Sequence, residues 1–543
     1  MKSFIKYITI VFIAGALLNS CETTDLDLQT SPNALADDQA DPNLLLNQIQ
    51  LNYATNMIVF NDRSAEVTRI DYMFGRDYFN NYPGTTMNGN WVRTYSNILP
   101  DLQNLVNQDD GTGDLNFHIG VAKTLYAHSL ILLVDQLGVA AFSQAGQPGE
   151  FPAPELDGGS AVYDAALLLL QEAENALAGN PNTTGVTDLY YDEDPDQWIK
   201  LINTIRMKVA YTTGDVSRFN GILSGGNYIS APEDDFVFRY GTSELQPDNR
   251  HPDYAADYTP SGANIYQSNW LMETMLNLGD PRIRYYFYRQ VPSTPGADAP
   301  ANEETLACSL AQPPQHFIDG GYTYCSVPNG YWGRTHGNDE GTPPDNFLRV
   351  AVGVYPAGGL FDDSSYGNVG LGLGGGGAGI EPIIMSSYVD FWAGYMTESA
   401  AAKADFLRAG MEKSIAKVQS FGSLDANADP DFAPTPEEVT TYVADVVAEF
   451  NNATGDDAEN IFAEQYWIAL FGGAAEAWTY YRLTGYPTTL VPNWEPNPGP
   501  FPRTWLLPQN EVTTNPNLTQ KETLTEQAFW DTQPASPTFP PAN

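Results

Sequence analysis

Apolar residues recur at helical spacing in two long parts of the chain, residues 43–214 and 381–485. In "FHIGVAKTLYAHSLILLVDQLG" they continue until Gly138, and glycine commonly ends helices. In "DPDQWIKLINTIRMKVAY", Asp194 occupies a helix-capping position and Pro195 the first helical position. These patterns predict a mainly α-helical fold of consecutive helix pairs, similar to tetratricopeptide stacking, although no strict repeat is visible.

Two other regions lack this periodicity. Residues 215–380 are rich in Gly and Pro and contain only short apolar runs, which predicts a long loop-rich insert. The tail, residues 486–543, is rich in Pro and Asn and is expected to wrap the surface of the same domain. Because 42% of the residues are hydrophobic, the chain has ample material for a core, and we predict one large domain spanning residues 43–543.

The N-terminus, "MKSFIKYITIVFIAGALLNSC", has a basic lead and a short apolar run, which predicts a secretory signal over residues 1–20. Its end, "LLNSC", resembles a bacterial lipobox, in which Cys21 becomes the acylated N-terminus. The alternative is an ordinary cleaved signal with a chance cysteine. Residues 21–42 are polar and acidic and are predicted to form a tether.

The charge balance restricts the partners. The chain has 25 Lys and Arg against 67 Asp and Glu, a formal net charge of -42. Such a surface repels phosphate backbones, which excludes nucleic acid and disfavours polyanionic substrates. In an exported chain, two cysteines in one loop-rich segment favour a disulfide, and we predict one between Cys308 and Cys325.

Several motifs occur together and in order along the chain. They are "DLDLQTSPNAL" after Cys21, the helix with Trp198, Lys200, Asn203 and Arg206, the Asp280-Pro281-Arg282 turn, Glu476-Ala477-Trp478 with Arg482 and Gly485-Tyr486-Pro487, and the closing strip with Arg503 and Glu511. This combination resembles SusD/RagB-type outer-membrane lipoproteins. The chain departs from that pattern where Gly138-Val139-Ala140-Ala141 replaces the usual Gly-Asp-x-Pro.

The resemblance implies a scaffold of four tetratricopeptide-like helix pairs with a ligand face made mainly by inserted loops. It also implies a lipid-anchored protein on the exterior of the outer membrane, above a SusC-like TonB-dependent transporter. The implied function is binding, not catalysis, with an oligosaccharide or polysaccharide, such as a neutral glucan, as ligand. The alternatives are an oligopeptide ligand as in the RagB branch, a secreted glycoside hydrolase, and a purely structural surface lipoprotein.

Two loops carry residues suited to holding sugars. Planar aromatic rings stack on the C–H faces of sugars, and amides, carboxylates and arginines bond their hydroxyl groups. The first loop, "DYMFGRDYFNNYPGTTMNGN", provides Tyr72, Arg76, Asp77, Tyr78, Asn81 and Tyr82. The second joins "GGYTYCSVPNGYW" to the Gly- and Pro-rich stretch over residues 329–367, and it provides Tyr322, Tyr324, Tyr331 and Trp332. We predict that these residues contact the ligand.

No cofactor is predicted. The five His residues include no pair one helical turn apart, as zinc hydrolases require. A calcium site built from Asp339, Asp345 and Asp362 remains an alternative, since carboxylate oxygens suit that ion, but no EF-hand spacing supports it. The stretch "GLGLGGGGAG" lacks the Gly-Lys-Ser/Thr of a phosphate loop and is interpreted as a flexible connection.

Overall fold

The computed structural model describes residues 40–179, 181–294, 312–339, 348–540 and 542. Residues Pro42–Asn543 form one compact unit. The predicted signal, Cys21 and nearly all of the tether lie outside the described residues, as do Cys308 and Asp345. Cys325 is disulfide-bonded. Its pairing with Cys308 stays a prediction.

The described chain is mainly α-helical, which confirms the predicted fold class. The helices are α1 Pro42–Thr68, α2 Tyr78–Asn81, α3 Asn88–Val92, α4 Leu99–Gln108, α5 Asn116–Leu137, α6 Gly159–Leu177, α7 Pro195–Thr213, α8 Val216–Gly225, α9 Pro252–Asp257, α10 Asn269–Leu278, α11 Ile283–Tyr286, α12 Gln315–Gly320, α13 Ser386–Met396, α14 Ala400–Ser420, α15 Pro436–Asn452, α16 Asp456–Ala469, α17 Ala475–Thr484 and α18 Gln509–Thr514. A π-helical turn, Arg93–Ile98, joins α3 to α4.

Consecutive long helices pack on one another on both sides of the insert. Helices α5, α6, α7 and α8 form one such series, and α13, α14, α15 and α16 form the other. Helix α1 packs against α5 and also against α17, so the first and last helices of the scaffold share one interface. This arrangement is the tetratricopeptide-like stacking that the helix periodicity predicted.

Local sequence explains where these helices begin and end. The side chain of Asp194 accepts a hydrogen bond from the Asp196 N–H and caps α7, and Gly138 ends α5 at a left-handed φ of 77°. Helix α5 is long and apolar enough to cross a membrane, but 94% of its most apolar window is buried inside the protein. It is therefore a core helix of this unit.

The insert between the two helical series contains short strands. Three antiparallel pairs occur among the described residues: β1 (Val139–Ala140) with β2 (Asp157–Gly158), β3 (Phe236–Arg239) with β6 (Ile380–Ile384), and β4 (Phe287–Tyr288) with β5 (Ala351–Val352). The Gly-rich stretch before β6 forms close-packed turns rather than the flexible connection expected from the sequence. At Gly374, with φ of +64°, an added Cβ would lie 2.1 Å from the Gly359 carbonyl oxygen.

The residues that carry the family resemblance mostly build the scaffold. Lys208, on the same helix as Trp198, is fully buried, and its Nζ lies 2.9 Å from carboxylate oxygens of both Asp135 and Glu476. The Arg282 guanidinium binds Asp280 at 2.5 Å with both side chains buried, and Arg503 forms a buried ion pair with Asp531. Buried ions require partners. Lys208 and Arg503 join separate segments of the chain, whereas Arg282 and Asp280 lie within one turn.

Candidate ligand-binding site

Three loops meet at one surface, which we call the loop face: residues 72–82, 316–339 and 493–495. The Gly337 N–H donates to the Met73 carbonyl at 3.0 Å, joining the first two loops. The Trp494 N–H donates to the His336 carbonyl at 2.9 Å, joining the second and third. Both loops predicted to bind ligand therefore contribute to a single surface.

Exposed aromatic rings lie on the loop face. Phe74 is 60% exposed, Phe79 is 49% exposed and Tyr322 is 39% exposed. Tyr324 is half-buried, with its ring centroid 5.7 Å from that of Trp494. Large exposed apolar side chains grouped on one surface commonly mark a binding site.

Tyr72 is half-buried at the edge of the loop face. Its hydroxyl donates to the Asn338 carbonyl at 2.5 Å, and its ring meets the Tyr266 ring edge-on at a centroid distance of 5.8 Å. These two contacts fix the orientation of a tyrosine ring that still reaches solvent.

The sequence prediction was wrong for four of the aromatic side chains, because Tyr78, Tyr82, Tyr331 and Trp332 are each at most 3% exposed. The Tyr82 ring lies 4.4 Å from the Trp505 ring, and its hydroxyl donates to Glu66 at 3.0 Å. The Arg289 guanidinium lies 4.7 Å from the Tyr331 ring centroid, and Trp332 packs beside Cys325. These rings pack beneath the surface of the loops and stabilise them, and their faces are not exposed for stacking on a ligand.

A short helix explains which rings of the first loop face outward. Asp77 accepts a hydrogen bond from the Asn80 N–H at 2.8 Å and thereby caps α2. Residues four positions apart lie on one face of a helix, so Tyr78 and Tyr82 both turn toward the core and Phe79 faces solvent. Phe74 and Phe79 were not among the residues predicted from the sequence. The aspartate cap before two tyrosines spaced by four was the signal that identifies Phe79.

The polar side chains of the loop face are mainly paired with one another. The Arg76 Nε lies 2.6 Å from Asp339 Oδ1, and Arg76 also lies 4.0 Å from Glu495. Arg76, Asp77 and Asn81 retain exposure. Ligand contact by these three residues, and by Tyr72 and Tyr324, stays a prediction.

The residues proposed for calcium have other partners. Asp362 is buried, and its carboxylate lies 2.5 Å from the Arg289 guanidinium, so it is an ion-pair residue. Asp339 is held by Arg76, as described above. Within the described ranges no three His, Cys, Asp or Glu side chains are arranged to hold a metal ion. His336 is buried against Tyr78, and burial lowers the pKa of its imidazole, so it is a neutral packing residue.

A cavity of about 200 Å³ opens beside the loop face, and we call it the acidic cavity. Its wall is formed by residues from α1, the start of α9, β6 and the turn after α16, and includes Tyr72 and Tyr266. Five carboxylates line it: Asp62, Glu66, Asp71, Asp253 and Glu381. No Lys or Arg occurs among the described residues of this lining. Tyr72 belongs to both features, so the loop face and the cavity are continuous.

The carboxylates lie at different depths in the acidic cavity. Asp62 and Asp253 are exposed toward solvent, Asp71 is half-buried, and Glu381 is 4% exposed. Burial, with repulsion from Asp253 and Glu66, raises the pKa of Asp71 to about 8. Burial and neighbouring carboxylates also raise the pKa of Glu381 well above its ordinary value. Burial and mutual repulsion therefore favour the protonated, neutral forms of Asp71 and Glu381 when no cation is bound in the cavity.

The neighbouring basic groups balance only part of the negative charge of the cavity. Arg63, which is not in the lining, binds Glu66 at 2.5 Å and balances that carboxylate. Burial lowers the pKa of His251 to about 3, so its imidazole is neutral near pH 7. Sequence reasoning missed the cavity because its lining is drawn from residues between 58 and 474.

Comparison with protein families places the chain among known proteins. Residues 32–302 match a SusD-like family described as "starch-binding associating with outer membrane". Residues 395–524 match the SusD-like family described as "SusD and RagB outer membrane lipoprotein". No curated protein matches the chain.

Solved structures share the fold across almost the whole chain. A SusD/RagB family protein from Bacteroides thetaiotaomicron is 16% identical, with 92% of this chain and 99% of that chain covered and a TM-score of 0.65. A chitin-binding SusD homologue from Flavobacterium johnsoniae is 16% identical, with 91% and 100% covered and a TM-score of 0.62. A SusD homologue from Bacteroides fragilis is 19% identical, with 88% and 94% covered and a TM-score of 0.56. The chain belongs to the SusD/RagB family.

Proposed function

We propose that the protein is a glycan-binding protein that captures an oligosaccharide or polysaccharide on its loop face. The exposed rings of Phe74 and Phe79, beside the Tyr72 edge of the acidic cavity, are the observation that carries this proposal. Covering an exposed apolar ring with a sugar ring contributes favourably to the free energy of binding. Nearby carboxylates and amides accept hydrogen bonds from the sugar hydroxyls. A family described as starch-binding and a relative named as chitin-binding support a carbohydrate ligand.

We further propose that the protein is anchored through acylated Cys21 on the exterior of the outer membrane. There it delivers the glycan to a SusC-like TonB-dependent transporter. The lipobox-like "LLNSC" and a family described as outer membrane lipoproteins support this location. Metabolic labelling with a clickable fatty acid tests the anchor: the wild-type chain is labelled and the Cys21→Ala variant is not. Co-purification with a transporter from detergent-solubilised outer membranes tests the delivery role.

A hydrolase is the competing function with a specific observation in its favour. Glycosidases pair a carboxylic acid of raised pKa with an ionised carboxylate, and the acidic cavity contains both kinds of group. We propose binding without cleavage, because family members are binding proteins. Incubation with candidate glycans, followed by chromatography of the products, decides between the two. Intact glycan supports binding, and shortened products would establish a hydrolase.

Calorimetric titration of the purified protein against neutral oligosaccharides and peptides tests the ligand class. We expect micromolar binding of at least one oligosaccharide and about tenfold weaker binding by Phe79→Ala, a loss of about 1.4 kcal/mol. Phe432→Ala is the matched control, since Phe432 is 40% exposed and lies outside the loop face. Binding of peptides alone would establish a RagB-like function. Binding of neither class would favour a structural role.

A further inference from the structure

We propose that the acidic cavity binds a primary ammonium group of an amino sugar, so that the captured glycan carries free amines. This inference rests on the proposed function and specifies the chemical class of its ligand. Its first support is the incomplete countercharge. Five carboxylates line one cavity, Arg63 pairs with Glu66 alone, and the described lining itself contains no Lys or Arg.

The deeper carboxylates are available to a ligand. No hydrogen bond or ion pair within the described chain engages the carboxylate of Asp71. Glu381 is 96% buried, and only its Oε1 is engaged, by the Asn61 amide at 2.6 Å. Its second oxygen has no hydrogen-bond partner in the part of the chain that the structure describes. Glu381 lines the cavity, where a ligand donor can replace water bonded to this oxygen.

A third group points to a ligand independently of the acidic charge. Gln267 is only 3% exposed and lines the same cavity, and its side-chain amide makes no hydrogen bond to any described residue. Buried amides in folded proteins are nearly always bonded to protein, water or ligand. An ammonium group donates three hydrogen bonds, and the side-chain oxygens of Asp71, Glu381 and Gln267, which line the same cavity, are acceptors of the required kind.

The arrangement suits an ammonium group better than a metal ion. A divalent cation needs several ligands at fixed short distances, and the described carboxylates do not converge in that way. The cavity volume of about 200 Å³ corresponds to roughly seven water molecules, which is room for one sugar ring. Tyr72 adds an aromatic surface at the entrance, where the ring of the same sugar would lie.

Repulsion among the carboxylates of the cavity also favours binding of a cation. Repulsion from Asp253 and Glu66 adds to burial in raising the pKa of Asp71. A cation bound among these groups offsets that repulsion and favours their ionised form. An N-acetylated sugar carries no such charge, so the cavity discriminates between the amine and its amide.

The test is calorimetric titration at pH 7 in 0.15 M NaCl, with a β-1,4-linked glucosamine tetramer and its N-acetylated counterpart. We expect the free-amine tetramer to bind at least tenfold more tightly. Asp71→Asn and Glu381→Gln should each weaken its binding at least tenfold while leaving the N-acetylated tetramer within about twofold. Asp405→Asn is the matched control, because Asp405 is an exposed carboxylate on α14 that does not line the cavity.

The controls distinguish specific ammonium binding in the cavity from non-specific attraction of a polycation. They also distinguish it from the proposed binding of neutral glycans. The net charge of -42 attracts any polycation, but that attraction is screened by salt and is insensitive to one neutralised side chain. Equal losses in Asp71→Asn and Asp405→Asn, or equal affinity for both tetramers, would overturn the inference. If neutral glycans still bind and Phe79→Ala weakens them, the proposed function survives that result. If no glycan of either kind binds, both proposals fail.

Discussion

Replacing Lys208 with Met tests whether the buried ion cluster holds the scaffold together. The Lys208 side chain is 0% exposed, and its two anionic partners, Asp135 and Glu476, are 1% and 4% exposed. Methionine is similar in length but removes the cation that bonds directly to both buried carboxylates. Breaking a buried ion pair by removing one partner costs about 3–5 kcal/mol, and we expect a loss in that range.

Lys123→Met is the matched control for this substitution. Lys123 bonds Glu172 at 2.7 Å, but the Glu172 side chain is 57% exposed, so water replaces the lost partner. Exposed ion pairs contribute about 0–1 kcal/mol. Urea unfolding followed by tryptophan fluorescence gives both free energies of unfolding, and an unchanged m-value shows that both variants unfold from the same native state.

Two further measurements test whether unpaired buried carboxylates cause the loss of stability in Lys208→Met. The double variant Lys208→Met/Glu476→Gln should recover at least about 1 kcal/mol relative to Lys208→Met, because one unpaired charge is removed. The loss in Lys208→Met should also shrink as pH falls toward 5. Buried carboxylates without a cation have raised pKa values, so the folded state binds more protons than the unfolded state. If Lys208→Met loses no more than Lys123→Met at pH 8, the cluster does not stabilise the fold as argued.

Three other outcomes are expected. Asp71→Asn should raise the free energy of unfolding by at least about 1 kcal/mol at pH 8.5 and by much less at pH 5, measured by thermal melts. The reason is that the Asp71 pKa is raised to about 8, so the wild type loses stability as pH rises from about 4 through about 8. Trp332→Ala should cost about 3–5 kcal/mol, because the ring is 2% exposed, whereas Phe74→Ala should stay within about 0.5 kcal/mol. Millimolar Ca²⁺ should leave the melting temperature unchanged, since Asp362 is already bound by Arg289; a rise of several degrees would establish a calcium site.

The scaffold could be predicted from the sequence because the signals that specify each helix lie within that helix and its flanking residues. A helix shows its period, its cap at Asp194 and its terminal glycine at Gly138 within one short segment. The two loops chosen from their composition do meet at one surface, and ligand binding there stays a prediction. The sequence did not show which rings face outward, because Tyr78 and Phe79 are adjacent and differ only in their side of a four-residue helix.

The acidic cavity was beyond prediction for a different reason. Its wall combines Asp62 on α1, Asp71 after it, Asp253 at α9 and Glu381 on β6. The chain has 67 Asp and Glu residues, and nothing in the spacing of these four distinguishes them from the others. Only the packing of the insert against α1 brings them to one cavity.

The shared interface of the first and last scaffold helices has a consequence for how the chain is made. Helix α1 packs against α17, and the Trp467 indole of the neighbouring α16 donates to the Thr68 carbonyl of α1 at 3.0 Å. A growing chain therefore completes its earliest helix long before the surface that covers it exists. Until α17 is available, α1 keeps part of its apolar face uncovered and Lys208 lacks one of its two anions. Folding is thus completed from the C-terminal end, and a chain truncated before Ala475 should expose α1 to proteases.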